Sequence, residues 1–410
     1  MKTNLVLFST GLALTMATQL RLENYPVGLG EGLLVAWAWL SWVHIIRCNN
    51  IRMIVDLRPF SLFFVVLLAM LLLSLLYQIA RSGDLIDSAL RDLVAYIFVA
   101  VLVLTFSLLG PSRDYLKKSL KILVIGLSLS LAVLLIISKF TPVLGPIRLD
   151  TGWRFLGLAR NPNQIGMAMV PIPFLCLLFV REATTGLGRF GYASILALAL
   201  WVGISTATDA LWLAWLVGAL LLALVVLTTK VAGRVHPALT VANVFGICIL
   251  GVLIMMATPL GSWVFERLAS GDGGGHRMDV WSQAFAGILE SPIFGRGPGA
   301  QNLVANVKAS REAHNSYLDI GLAAGLIGLG AAICLTASLL LRPSLVAHPL
   351  LWSAFMAMQC FVMFHYMFRH PLFWFYAILM SSFAYQDYET RLRSRPGPAL
   401  GQAELRLRRT

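Results

Sequence analysis

Apolar runs of about 20 residues recur along the sequence, and short polar clusters separate them. As a helix, one such run covers the roughly 30 Å hydrocarbon core of a bilayer. Hydrophobic residues make up 58% of the chain and charged residues 12%, whereas soluble domains carry about 25% charged residues. The sequence therefore predicts an all-α polytopic membrane protein.

The runs predict about twelve transmembrane helices and one large loop. Transmembrane helices 1–9 fall within residues 1–257 and helices 10–12 within residues 314–386, so residues 258–313 form the loop between helices 9 and 10. The first run, residues 5–20, lacks a small-residue cleavage site, and we interpret it as a retained helix rather than a signal peptide. Residues 387–410 form a basic tail.

The Lys and Arg residues predict the orientation of the chain. With the N-terminus on the inner side, most of them fall in short inner links and in the tail, as the positive-inside rule requires. The net charge of +13 therefore reflects topology and does not indicate a nucleic-acid partner. Both termini are expected in the cytoplasm, where the basic tail can contact membrane lipids, and the large loop is expected on the outer side.

The remaining basic residues crowd two outer loops, where orientation alone disfavours them. One loop carries Arg148, Arg154 and Arg160, and the other carries Arg267, Arg277, Arg296, Lys308 and Arg311. An anionic ligand on the outer face would account for both groups. The alternative is that these side chains contact lipid headgroups.

The sequence Asn161-Pro162-Asn163 predicts a helix start, with Asn161 as the cap and Pro162 at the first helical position. Arg154 and Arg160 would lie beside this helix N-terminus, whose free N–H groups also favour anions. We therefore predict that Arg154, Arg160, Asn161 and Asn163 bind substrate.

The large outer loop contains a second helix signal. Arg277, Trp281, Phe285, Ile288 and Leu289 recur at three- and four-residue steps, and Pro292 ends the pattern. Glycines on both sides, residues 271–275 and 295–299, allow sharp turns or close approach of the backbone. The pattern predicts a helix that either lies on the bilayer surface or caps the bundle.

His314 is the candidate general base. It falls in the predicted first turn of a helix on the outer face, beside an arginine-rich loop, where we expect the imidazole to stay neutral. Arginine binds phosphate with two parallel hydrogen bonds, so several arginines can hold a diphosphate as it leaves. No pair of acids is well placed for a metal, and we expect a metal-independent enzyme without a cofactor.

Three motifs resemble those of the O-antigen ligase and polymerase superfamily. In chain order they are R-F-L-G-L-A-R-N-P-N-Q-I-G (residues 154–166), H-R-M-D-V-W with S-P-I-F-G-R-G-P-G (276–281 and 291–299), and H-N-S-Y-L-D-I-G-L-A-A-G-L-I-G (314–328). The resemblance implies a GT-C-like membrane glycosyltransferase in the bacterial inner membrane, with its active site facing the periplasm. It implies a polysaccharide donor on undecaprenyl diphosphate and, for a ligase, a sugar hydroxyl of the lipid A core as acceptor.

The resemblance also assigns site residues by motif. The superfamily's histidine falls on His314, its loop arginine on Arg277, and the arginine ahead of the N-P-N segment on Arg154, with Arg160 as a nearby second. We add Trp281, Arg296 and Asn315 as substrate-binding candidates. The modest loop and short tail favour a ligase, and a polymerase is the second reading. A lipid-linked oligosaccharide flippase is the non-enzyme alternative, although it would need polar residues in the middle of the spans, which carry few.

Overall fold

Helices form most of the described chain. The computed structural model describes residues 2–21, 27–48, 57–82, 87–232, 274–300 and 314–394. In chain order the helices are α1 (Lys2–Leu14), α2 (Leu29–Cys48), α3 (Arg58–Ser82), α4 (Asp87–Leu109), α5 (Arg113–Phe140), α6 (Pro162–Met169), α7 (Ile172–Glu182), α8 (Gly186–Ser205), α9 (Asp209–Ala232), α10 (Gly274–Glu290), α11 (Ser316–Leu340), α12 (Pro343–Val346), α13 (Pro349–Val362) and α14 (Pro371–Ser394). A 3-10 turn (Thr18–Leu20) follows α1, and a short antiparallel hairpin pairs β1 (Val143–Leu144) with β2 (Ile147–Arg148).

Within the described ranges, 8 candidate membrane spans are long and apolar enough to cross a bilayer. Two shorter apolar helices, Asn4–Leu14 and Pro349–Val362, accompany them. The predicted class, an all-α polytopic membrane protein, is confirmed. The predicted ninth span, residues 241–257, lies outside the described residues, so the total of about twelve stays a prediction.

Two predicted spans are interrupted in the structure. The first was expected over residues 5–20, but α1 ends at Leu14 and the chain turns, with the Gln19 N–H donating to the Leu158 carbonyl at 2.9 Å. The sixth was expected over residues 163–180 and is divided into α6 and α7 at Val170 and Pro171. Proline has no N–H to continue the helical ladder, which explains the division.

The helix α11 breaks at Gly325, where the backbone adopts φ 67° and ψ −170°. The loop that follows α10 fills this break. The N–H groups of Arg296 and Gly297 donate to the carbonyls of Leu322 and Ala323 at 2.7 and 3.1 Å, and the Leu326 N–H donates to the Pro292 carbonyl at 2.7 Å. The backbone groups that the break releases therefore find partners inside the protein, as a membrane environment demands.

The glycines that follow α10 allow this close approach, as the sequence predicted. Gly295 and Gly297 have φ values of 71° and 88°. A Cβ atom on Gly295 would lie 2.7 Å from the backbone carbon of Ala323, so only glycine fits there. The helix predicted in the loop is also confirmed as α10, which packs against α11.

A cluster of fully buried aromatic rings holds α1, α2, α4 and α14 together. The Phe8 ring centroid lies 4.8 Å from that of Trp37, 5.4 Å from that of Phe106 and 5.0 Å from that of Phe375. Such pairs contribute roughly 0.5–1.5 kcal/mol each beyond the burial of their area. The cluster fixes the start of α14 against α2 and α4, and all three elements border the cavity that contains His314.

The last helix, α14, continues to Ser394, past the predicted end of transmembrane helix 12 at residue 386. The extension is explained by buried Asp387, whose carboxylate accepts hydrogen bonds from Arg113 and pairs with Arg391 at 2.8 Å. The first turns of the segment assigned to the basic tail are therefore helical.

Candidate functional site

A cavity of about 390 Å³ lies where the starts of α2, α4, α6 and α11 meet the segment between α13 and α14. Its polar lining is Arg21, Glu31, Arg91, Asp92, Asn161, Asn163, Gln164, His314, His365, Tyr366, Arg369 and His370. Its apolar lining is Val27, Val35, Val94, Ala95, Phe98, Met367 and Pro371. The cavity brings together three sequence-predicted site residues, His314, Asn161 and Asn163.

His314 stands just before α11 rather than in its first turn. The N-cap is Asn315, whose side-chain oxygen accepts hydrogen bonds from the N–H groups of Tyr317 and Leu318 at 3.0 and 3.2 Å. The predicted placement was therefore too far along the helix, and Asn315 rather than His314 caps it. His314 adopts a left-handed backbone, φ 51°, a conformation rare outside glycine that is often found at functional sites.

The segment between α13 and α14 is tied to the start of α11 through one serine. The Ser316 hydroxyl donates to the His365 carbonyl at 2.6 Å and accepts from the Met367 N–H at 2.8 Å. The buried His365 ring lies between His314, at a centroid distance of 6.3 Å, and Phe361, at 4.7 Å. His365 was not among the sequence-predicted site residues, and only the folded chain brings its ring close to that of His314.

An acid–arginine network lines the side of the cavity formed by α4. Asp92, whose side chain is 1% exposed, accepts a hydrogen bond from Arg369, and the Arg91 Nε lies 3.6 Å from the same carboxylate oxygen. The Arg369 guanidinium also stacks on the Tyr366 ring at 4.0 Å, and the hydroxyl oxygens of Tyr366 and Tyr96 lie 2.8 Å apart. Arg369 is thus held in a fixed orientation at the cavity.

A second ion pair also lines the cavity. Arg21, which follows the 3-10 turn, pairs with Glu31 near the start of α2, and the Gly28 N–H donates to the second oxygen of that carboxylate at 3.0 Å. Glu31 is 8% exposed. The sequence prediction missed Arg21, Arg91 and Arg369 because each stands alone near the end of a different span. Their shared position at span ends on the predicted outer side was the available signal.

His370 closes the cavity next to these arginines. Burial, followed by the positive charges of Arg21 and Arg369, lowers the pKa of His370 from its usual 6.5 to about 3. The imidazole is therefore neutral at physiological pH. The arginines are then the cations of the cavity, and they favour an anionic ligand.

A groove of about 580 Å³ adjoins the cavity and shares Asn161 and Asn163 with it. Asn161 caps α6 by accepting from the Asn163 N–H at 2.9 Å, which confirms the predicted helix start. Arg154 donates from Nε to the Thr206 carbonyl and from Nη2 to the Asn163 side-chain oxygen, both at 3.0 Å. Arg154 therefore orients Asn163 between the two spaces, while Arg160 is exposed in the groove.

The outer-loop residues are placed around these spaces. The Trp281 ring on α10 lies 6.1 Å from that of Phe364, next to the segment that carries His365. The backbone of Arg277 is in α10, one helical turn before Trp281. The structure does not describe the Arg277 side chain, and Arg267, Lys308 and Arg311 lie outside the described residues. Arg296 pairs with Glu290 and is not among the described residues that line the cavity or the groove.

The fold and this site define a polytopic membrane protein with an arginine-lined cavity between the ends of its spans. A family model described as O-antigen ligase matches residues 193–333, a range that includes Arg277 and His314. The match supports membership of the O-antigen ligase superfamily, and it confirms the resemblance drawn from the motifs. No curated protein matches the chain.

Proposed function

We propose that this protein is an O-antigen ligase of the bacterial inner membrane. In this proposal it transfers a polysaccharide from undecaprenyl diphosphate to a sugar hydroxyl of the lipid A core, on the periplasmic face and without a metal. The observation that carries the proposal is the cavity itself, where His314 and the capped start of α6 lie with three arginines from separate parts of the chain.

The cavity suits a lipid diphosphate in both charge and shape. Arg21, Arg91 and Arg369 supply guanidinium groups, which bind phosphate oxygens in pairs. The apolar side of the lining carries Val35 and Val94, which are 56% and 46% exposed on α2 and α4. A polyprenyl chain would leave along this apolar side, toward the lipid, while its diphosphate stays at the arginines.

The proposed reaction is a displacement at the anomeric carbon of the donor. His314 accepts the proton of the acceptor hydroxyl, and the oxygen attacks the anomeric carbon as the bond to the diphosphate oxygen breaks. The diphosphate leaves with the bonding electrons, and the guanidinium groups stabilise its charge. Arg277, assigned by its motif and by its place on α10, would add a further guanidinium group when the donor is bound.

The experiment that tests this proposal is turnover by the purified full-length protein with extracted donor and acceptor, with EDTA present. His314→Asn is the informative variant, because asparagine tolerates the left-handed backbone but is no base at neutral pH. We expect it to fold and bind donor while transfer falls by roughly 10²- to 10⁴-fold. The exposed Lys118→Gln change, far along the chain on α5, is the control. Near-normal turnover in His314→Asn would refute the assignment of the base.

A deletion in the native cell separates a ligase from its relatives. Loss of all polymer from the core, with lipid-linked polymer accumulating, is the result expected for a ligase. A core that carries a single repeat unit would instead identify a polymerase. Donor that fails to reach the periplasmic side would identify a flippase.

A further inference from the structure

We infer that the groove beside the cavity binds the acceptor glycolipid through an anionic saccharide, one that carries phosphate or carboxylate groups. This inference rests on the proposed function, because it assigns the acceptor to one of two adjoining spaces. The groove is formed by the start of α6 and by the loop of residues 141–161. Its polar side chains include Arg148, Trp153 and Arg160.

The groove is rigid because one side chain binds the loop at several points. The Gln19 Nε2 group donates to the carbonyls of Arg148, Gly157 and Ala159 at 2.8, 3.2 and 2.9 Å, and the Gln19 Oε1 atom accepts from the Arg148 N–H at 2.9 Å. The loop backbone is thereby turned toward Gln19, and the side chains of Arg148 and Arg160 are left exposed in the groove. A preformed site binds without the entropic cost of ordering a loop.

The charges of the groove are available to a ligand. Neither the Arg148 nor the Arg160 guanidinium group forms an ion pair with a residue of the described ranges, so a ligand can bind both groups without breaking an ion pair there. Two arginines that have no acid partner among the described residues, one of them beside the start of α6, favour a bound anion.

Trp153 gives the groove a surface for a sugar ring. Its side chain is 72% exposed, and the Arg154 guanidinium stacks on its ring at 5.2 Å. Because Arg154 is itself held by Thr206 and Asn163, the indole is supported on one face and open on the other. An open indole face beside two arginines fits a saccharide that carries anionic groups.

The position of the groove assigns it to the acceptor rather than the donor. The donor needs an apolar exit for its lipid, and the exposed valines of α2 and α4 supply one at the cavity. The groove meets the cavity at Asn161 and Asn163, so a saccharide in the groove can direct one hydroxyl toward His314. Donor and acceptor would then approach the same point from opposite sides.

The test measures the Michaelis constant for each substrate in the purified full-length protein. The double variant Arg148→Gln/Arg160→Gln removes both charges, and Lys118→Gln is the matched loss of an exposed charge elsewhere. Because a charged hydrogen bond contributes about 10-fold or more in affinity, we expect the acceptor KM to rise at least ~10-fold while the donor KM and kcat stay within ~2-fold. Trp153→Ala should raise the acceptor KM and Trp153→Phe should restore most of it.

The acceptor itself provides the second arm. Lipid A core from a strain that lacks this protein is compared with the same material dephosphorylated by aqueous hydrogen fluoride. If the anionic groups that the groove binds are phosphates, the wild-type protein should lose affinity for the treated acceptor. The double variant should then bind both forms equally weakly. If the double variant binds both forms as tightly as the wild-type protein does, the inference is overturned.

A rise in the donor KM alone would assign the groove to the donor glycan. The protein can also be reconstituted in nanodiscs with and without phosphatidylglycerol. If the effect of the double variant on turnover depends on that lipid while the acceptor KM is unchanged, the arginines contact lipid headgroups instead.

A direct measurement of acceptor core binding to the donor-free protein separates the proposed function from the proposed acceptor groove. Binding that depends on Arg148 and Arg160 in a protein that transfers nothing would refute the proposed function and leave the groove standing. Transfer by the double variant with a normal acceptor KM would refute the acceptor groove and leave the proposed function standing.

Discussion

The break in α11 leads to a prediction whose magnitude follows from the structure. Gly325→Ala should destabilise the protein strongly, whereas Gly330→Ala on the same helix should not. At Gly325 the backbone lies in a region that is almost restricted to glycine, with φ 67° and ψ −170°, which costs other residues about 1–3 kcal/mol. A Cβ atom there would also overlap the Ile293 carbonyl and come within 2.8 Å of the Pro292 carbonyl oxygen.

Relief of that overlap requires the loop after α10 to move away from α11. The hydrogen bonds of Arg296, Gly297 and Leu326 across the break would then be lost, at about 1 kcal/mol each. Together with the backbone term, the loss in the free energy of unfolding is about 4–6 kcal/mol. A Cβ atom added at Gly330 would meet open space, so alanine there should gain up to ~1 kcal/mol from its helix propensity.

Thermal unfolding in detergent, monitored by the loss of the folded peak in size-exclusion chromatography, measures the difference in stability between the two variants. We expect the midpoint for Gly325→Ala to fall by roughly 5 °C or more relative to Gly330→Ala. Gly295→Ala approaches the same contact from the loop side and should behave like Gly325→Ala. Equal midpoints for Gly325→Ala and Gly330→Ala would refute the reasoning, because the break would then tolerate a side chain.

Three further predictions concern charge and orientation. Arg369→Lys should raise the donor KM by ~10-fold, since an ammonium cannot reproduce the paired hydrogen bonds of a guanidinium, and unchanged donor kinetics would exclude contact with the diphosphate. The pKa of His370 is lowered to about 3, so its contribution to stability is complete above pH ~6.5 and declines as the pH falls toward 3. Melting curves between pH 7 and pH 5 should therefore show falling stability, and His370→Gln should flatten that fall; an identical slope in both proteins would contradict it. Both termini should be cytoplasmic, and a reporter fused after Thr410 that is active only in the periplasm would contradict this orientation.

Local signals in the sequence determined the class of the protein and several of its elements. The length of the apolar runs predicted membrane spans, because a helix must satisfy its own backbone in lipid. The cap at Asn161 with Pro162 and the presence of a helix at α10 were also predicted correctly. These features depend on neighbours a few residues apart, and such neighbours can be seen in a sequence.

The tertiary structure alone decided which side chains share the cavity. Asp92 and Arg369 are 277 positions apart, and they meet because the aromatic cluster of α1, α2, α4 and α14 packs those helices together. The break at Gly325 could not be located from the sequence, since glycines three and four residues apart, such as Gly321, Gly325 and Gly328, also serve close helix packing. His314 was recognised by its motif, but its left-handed backbone and its place before the cap depend on the serine that ties α11 to the segment ahead of α14. Contacts of this kind are set by how the helices pack, and no local pattern encodes them.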